Sequence, residues 1–173
     1  MDFDFLSASQ VKGLPSQADE RAFCFETVSA LAHNPEGTKI AFLLKKADAN
    51  LLQKTKADFF VVWASDPPLA HWAAGQEKVS ALVLDLSAAS LPLDQPIAQV
   101  ALDHKVAIGV FFSQLLRSDG MKRAKMISNL IQIQRICRHQ GVHFRVFSGA
   151  KNALEWRSPR ELGAFEKFLE SVA

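Results

Sequence analysis

Only two of the 173 residues are cysteine, Cys24 and Cys137, and no C-x-x-C pair occurs. The chain therefore carries no dithiol motif, and both thiols are expected to be reduced and buried in a reducing compartment. No apolar run reaches the roughly 18 residues that a membrane-spanning helix requires. The first residues, MDFDF, bring acids where a secretory signal would bring lysine or arginine, so the expected location is the cytoplasm, with no membrane partner. The five histidines, His33, His71, His104, His139 and His143, form neither H-x-H nor H-E-x-x-H. His139 and His143 have helical spacing, but Gly141 between them should end the helix, so no metal site is expected. Both phosphate-loop signatures, G-x-G-x-x-G and G-x-x-x-x-G-K-[ST], are missing, which weighs against a nucleotide-dependent enzyme. There is no linker, repeat or low-complexity tract either, and the length suits a single domain over residues 1–173.

What the sequence does have is an uneven distribution of charge. The net charge of +2 conceals a first stretch, residues 1–116, with nine basic against thirteen acidic side chains. Residues 117–160 then hold ten basic residues against only Asp119 and Glu155. Such an asymmetry points to a polyanionic partner, nucleic acid first among them.

Apolar runs rich in β-branched and aromatic residues alternate with segments of helical period. Strands are expected over 3–6, 39–44, 58–64, 81–87, 106–112 and 143–148, and helices over 19–32, 49–56, 68–76, 95–104, 120–140 and 159–171. About six β-α units of this kind predict an α/β fold, either doubly wound or a TIM-barrel-like repeat. Asp58, Asp66, Asp85 and Asp103 lie near strand or helix ends, where barrel enzymes place catalytic groups. Asp85 is the most enzyme-like, yet it has no base, nucleophile or metal ligand beside it in sequence, so a hydrogen-bonding role is the better reading.

Two turns stand out. The helix beginning after RSDG opens with Lys122, Arg123 and Lys125, although the positive end of a helix dipole favours acids. A local cost of this sort marks a binding requirement. Further on, Ser148-Gly149-Ala150 ends a strand and, with Lys151, is suited to cradle a phosphate. Ser158-Pro159 then starts a helix: serine caps it, proline fits its first turn, and Glu161 completes a capping box. Arg157 and Arg160 flank that cap as two guanidinium forks, unless they are spent on Glu155 and Glu161.

The stretch SGAKNALEWRSPREL (148–162), preceded by RAKMISNLIQIQRICRHQGVHF (123–144) and LDQPIAQVALDHKVAIGVFFSQLL (93–116), resembles the thirty-kilodalton protein subunit family of ribonuclease P, called protein component 3 in archaea. The likeness runs from about Leu82 to Leu169, with Asp4 matching an aspartate near the end of the first strand. It implies a barrel-like fold, shortened or incompletely closed here, and a role in removing the 5' leader from precursor tRNA. It also implies that the ribonuclease P RNA carries the active site and its Mg2+, and that the chain works with ribonuclease P protein component 2. On this resemblance the protein itself has no catalytic residue and binds no cofactor. The RNA-contacting candidates are Arg117, Lys122, Arg123, Lys125, Ser148, Gly149, Lys151, Arg157, Ser158 and Arg160. Two other readings remain: a metal-dependent phosphoesterase on a related barrel, and an assembly module that touches only protein.

Overall fold

Parallel strands laid down in the order of the sequence make the frame of the molecule. The structure is a computed structural model that describes the backbone of residues 2–4, 21–25 and 39–173, and the side chains from Ala41 onward. Its strands are β1 (Asp2–Asp4), β2 (Arg21–Phe25), β3 (Lys39–Leu44), β4 (Phe59–Ala64), β5 (Val79–Leu84), β6 (Ala107–Phe111) and β7 (Phe144–Phe147). The helices are α1 (Ala49–Lys54), α2 (Pro67–Ala74), α3 (Gln95–Asp103), α4 (Ser113–Leu116), α5 (Gly120–Gln140) and α6 (Pro159–Val172). The sheet order is β1-β2-β3-β4-β5-β6-β7, with every neighbouring pair parallel.

That order chooses between the two folds left open by the sequence. Parallel neighbours joined by crossovers of the usual right hand place all their helices on one side of the sheet. A doubly wound sheet needs a reversal of strand order, and there is none here. The architecture is therefore TIM-barrel-like. β1 and β7 approach each other but share no ladder among the described residues, so the sheet is not closed.

Alternation along the strands separates two cores. One face presents Phe42, Leu44, Val62, Leu82, Leu84, Ile108, Val110 and Val146 to the helices, where they meet Leu69, Ile97, Leu130, Ile133 and Leu162. The other, inner face holds Ala41, Leu43, Val61, Ala81, Val83, Phe111 and Phe147, with Phe59 and Trp63 packed against them. Two glycines make room for the large rings. A Cβ on Gly109 would lie 2.5 Å from Phe147, and one on Gly149 would lie 2.6 Å from Phe111. Phe111 and Phe147 thus each fill the space left by a glycine near the other, their rings meeting edge to face at 6.4 Å. Trp63 continues the row, its ring 5.3 Å from Phe111.

Several expectations need correction. Among the described residues there are seven strands rather than six, because Arg21–Phe25, read as part of a helix over 19–32 whose other residues lie outside the described ones, is β2, paired with β1 and β3. The expected strand 3–6 is observed at Asp2–Asp4, with residues 5 and 6 outside the described ones. The strand expected over 81–87 spans Val79–Leu84. This puts Asp85 in the turn beyond it, with Oδ1 accepting from the Ser87 amide at 2.8 Å and the Ser87 hydroxyl at 2.7 Å. The short helix α4 was not foreseen at all. Its buried Gln114 ties α4 to the turn after β5: Nε2 donates to Leu84 O at 3.0 Å and Oε1 accepts from Leu86 N at 2.9 Å.

Candidate nucleic-acid interface

In a parallel sheet all loops that follow strands emerge at one end, the end where barrel proteins place their sites. Here that end is chemically divided. After β4 and β5 it carries acids, but these are occupied by the fold. Asp66 caps α2, accepting from Leu69 N at 2.9 Å, just as Asp48 caps α1 and Asp94 caps α3. Asp85 closes its own turn, and Asp103, at the far end of α3, accepts from Gln99 Nε2 at 2.9 Å. Asp58 precedes β4 at the opposite end of the barrel. Among the described residues no three His, Cys, Asp or Glu side chains group as metal ligands would. The acids that looked enzyme-like are thus dispersed, and the phosphoesterase reading gains nothing from them.

After β6 and β7 the same end is basic, and the candidates fall into two groups. The first is built into the structure. Arg117, the C-cap of α4, is held by Glu155: its Nε donates to Oε1 at 2.8 Å and its Nη2 to Oε2. Glu155 Oε2 also accepts from the Lys151 amide at 2.9 Å. These donors stabilise the carboxylate form and hold Glu155 down to about 2, the Arg117 hydrogen bonds being the largest cause. The same pairing raises the pKa of Arg117. Arg123 turns back to donate from Nε to Ser118 O at 2.6 Å. Arg157 donates from Nη1 to Leu154 O at 3.1 Å and Trp156 O at 2.7 Å, and its guanidinium stands 5.9 Å from the centre of the Phe112 ring.

Ser158 and Glu161 form the expected capping box. Ser158 Oγ accepts from Glu161 N at 3.3 Å, and Glu161 Oε2 accepts from Ser158 N at 2.8 Å. Those bonds from the Ser158 amide and hydroxyl lower the pKa of Glu161. Glu155 and Glu161 are therefore engaged chiefly with Arg117 and Ser158, Arg157 adding only a smaller charge attraction to Glu161. Ser148 and Ala150 are fully buried. Gly149 adopts φ +61° against Phe111, so the shape of this turn follows from core packing, and only Lys151 of the turn is exposed.

The second group is Lys122, Lys125, Lys151 and Arg160. All four are exposed, and among the described residues no hydrogen bond or ion pair engages their side chains. Lys122 and Lys125 sit at the start of α5, which has no acid in its first turn and an N-cap, Asp119, that makes no side-chain capping bond. Lys151 and Arg160 come from the connection after β7 and the first turn of α6. The basic stretch of sequence does not all gather here. Arg135 and Arg138 reach the other end of α6, donating to Ala173 O at 3.0 Å and Glu170 O at 3.4 Å, where they complement the helix dipole. Arg145, inside β7, lies 3.5 Å from Glu166. What sequence reasoning missed was the partner role of Glu155, which depends on a residue 38 positions away.

The comparisons with known proteins agree on one family. The family model described as RNase P subunit p30 matches residues 43–170. The chain is similar to "Ribonuclease P protein component 3" of Methanosarcina barkeri, 29% identical over 108 residues, covering 62% of this chain and 45% of that protein. It is also similar to the protein of that name from Methanosarcina mazei, 36% identical over 73 residues, covering 42% of this chain and 30% of that protein. The chain thus spans less than half the length of these curated relatives. In fold it is similar to a chain in the cryo-EM structure of archaeal ribonuclease P with mature tRNA. There the TM-score is 0.75 at 17% identity, with 99% of this chain and 85% of that chain covered.

Proposed function

Because the chain belongs to the RNase P subunit p30 family, we propose that it serves as a protein subunit of ribonuclease P, assisting the RNA that removes the 5' leader from precursor tRNA. The observation that carries this reading beyond family membership is the set Lys122, Lys125, Lys151 and Arg160, exposed and unspent at one end of the barrel. Cations placed where they stabilise nothing in the fold are suited to phosphates. Arg157, held beside them by backbone carbonyls, offers its remaining donors to the same backbone. In this reading Mg2+ and the cleavage chemistry belong to the RNA. The protein partner is component 2.

The test is the salt dependence of binding to ribonuclease P RNA. Each phosphate contact adds roughly 0.7 to 0.9 to the slope of log affinity against log salt. Replacing all four cations with alanine should lower that slope by about 3. An unchanged slope would remove them from the interface.

A further inference from the structure

The four unspent cations stand on two separate pieces of chain, and one ion pair joins those pieces. Lys122 and Lys125 follow Arg117, which ends α4 and leads through Ser118 and Asp119 into α5. Lys151 and Arg160 bracket Glu155 in the connection from β7 to α6. The Glu155 carboxylate gathers both Arg117 donors and the Lys151 amide, while the Glu155 amide is held by Asn152 Oδ1 at 3.2 Å. Its side chain is only 17% exposed. The contact is thus more than a solvated surface pair, since one carboxylate orders both the backbone of the β7–α6 connection and the end of α4. The same contact uses the Nε and Nη2 edge of Arg117, the edge with which arginine would fork a phosphate.

We propose that Arg117 is a positioning residue and not a phosphate contact: with Glu155 it fixes the spacing between Lys122 and Lys125 on one side and Lys151 and Arg160 on the other, so that one RNA backbone can meet all four. This inference rests on the RNA-binding reading above. Without the pair, the β7–α6 connection must be ordered when RNA binds, and that entropy weakens binding without changing how many phosphates are neutralised.

Charge alone predicts the opposite sign for the key variant. Glu155→Gln deletes an acid from a basic surface, which should tighten RNA binding if Glu155 does nothing else. Positioning requires weaker binding, on the order of five- to tenfold, with a salt slope parallel to that of wild type. Arg117→Lys, which keeps the charge and loses the fork, should behave in the same way. Lys125→Ala is the contact control, and its slope should fall by nearly one. These affinities are measured with the full chain and ribonuclease P RNA by fluorescence anisotropy over a salt series. Amide hydrogen exchange on the free protein should show faster exchange across residues 150–156 in Glu155→Gln, with the strands unchanged. Equal or tighter binding by Glu155→Gln, or a flattened slope for Arg117→Lys, would overturn the proposal even while Lys125→Ala behaves as a contact. If wild type bound without any salt dependence, the RNA reading itself would fall and this inference with it.

Discussion

Gly149 illustrates how a single residue can be read for function and turn out to be required by packing. Its φ of +61° lies where only glycine sits easily, and a Cβ would come 2.6 Å from Phe111. Gly149→Ala should therefore cost about 3 kcal/mol, from left-handed strain together with overpacking. Urea unfolding would measure it. Gly109→Ala should be comparably damaging, and trimming Phe147 to leucine should not rescue it, because the new Cβ would also meet Arg145 O at 2.6 Å. The isolated glycine in VAIGVFF was a legible sign of close approach, whereas the ring it accommodates lies on another strand and was not. Cys137 is a second case. Burial pushes its thiol up to about 12 and removes it from solvent. Alkylation of native protein followed by peptide mapping should find Cys137 unmodified until the fold is lost. Glu155 is a third. Its folded pKa of about 2 lies below the ordinary carboxylate range of about 4.3. Its contribution to stability is thus complete above that ordinary value and disappears as the pH falls toward 2. Acid titration of wild type against Glu155→Gln should show the two stability curves converging in that window.

At the level of elements, α5 is where stability and function pull apart. Lys122 occupies the third position of a helix that starts without an acid in its first turn or a side-chain cap, so Lys122→Glu should stabilise the protein by about 0.5 kcal/mol while weakening RNA binding. Thermal unfolding and anisotropy on the same variant check both signs, and a variant that binds more weakly without gaining stability would refute the dipole argument. This element was legible from its apolar stripe and from Gly141, which closes the helix at φ +72°. The capping box of α6 was equally legible, since Ser158, Pro159 and Glu161 interact within a single turn. β2 was not. In RAFCF, flanked by Asp19, Glu20 and Glu26, the local period is helical, and strand identity comes from pairing with β1 and β3. Such pairing is set by residues distant in sequence. Likewise Arg117 and Glu155 come together only because β6 and β7 are neighbours in the sheet.

For the whole molecule, sequential parallel order puts every strand-following loop at one end, and the basic segment of the sequence is sorted by that geometry. Arg135, Arg138 and Arg145 are used to hold α6 and β7. Lys122, Lys125, Lys151 and Arg160 are left outward. The sequence composition revealed the excess of charge, but only the fold reveals which part of it is available. The most direct test of the proposed role is precursor tRNA cleavage by the ribonuclease P RNA at low magnesium, reconstituted with component 2 and either the wild-type chain or the Lys122, Lys125, Lys151 and Arg160 quadruple alanine variant. Wild type should restore cleavage, and the folded variant should fail to do so unless salt is lowered. Equal cleavage with the variant, or no gain from the wild-type chain, would contradict that role.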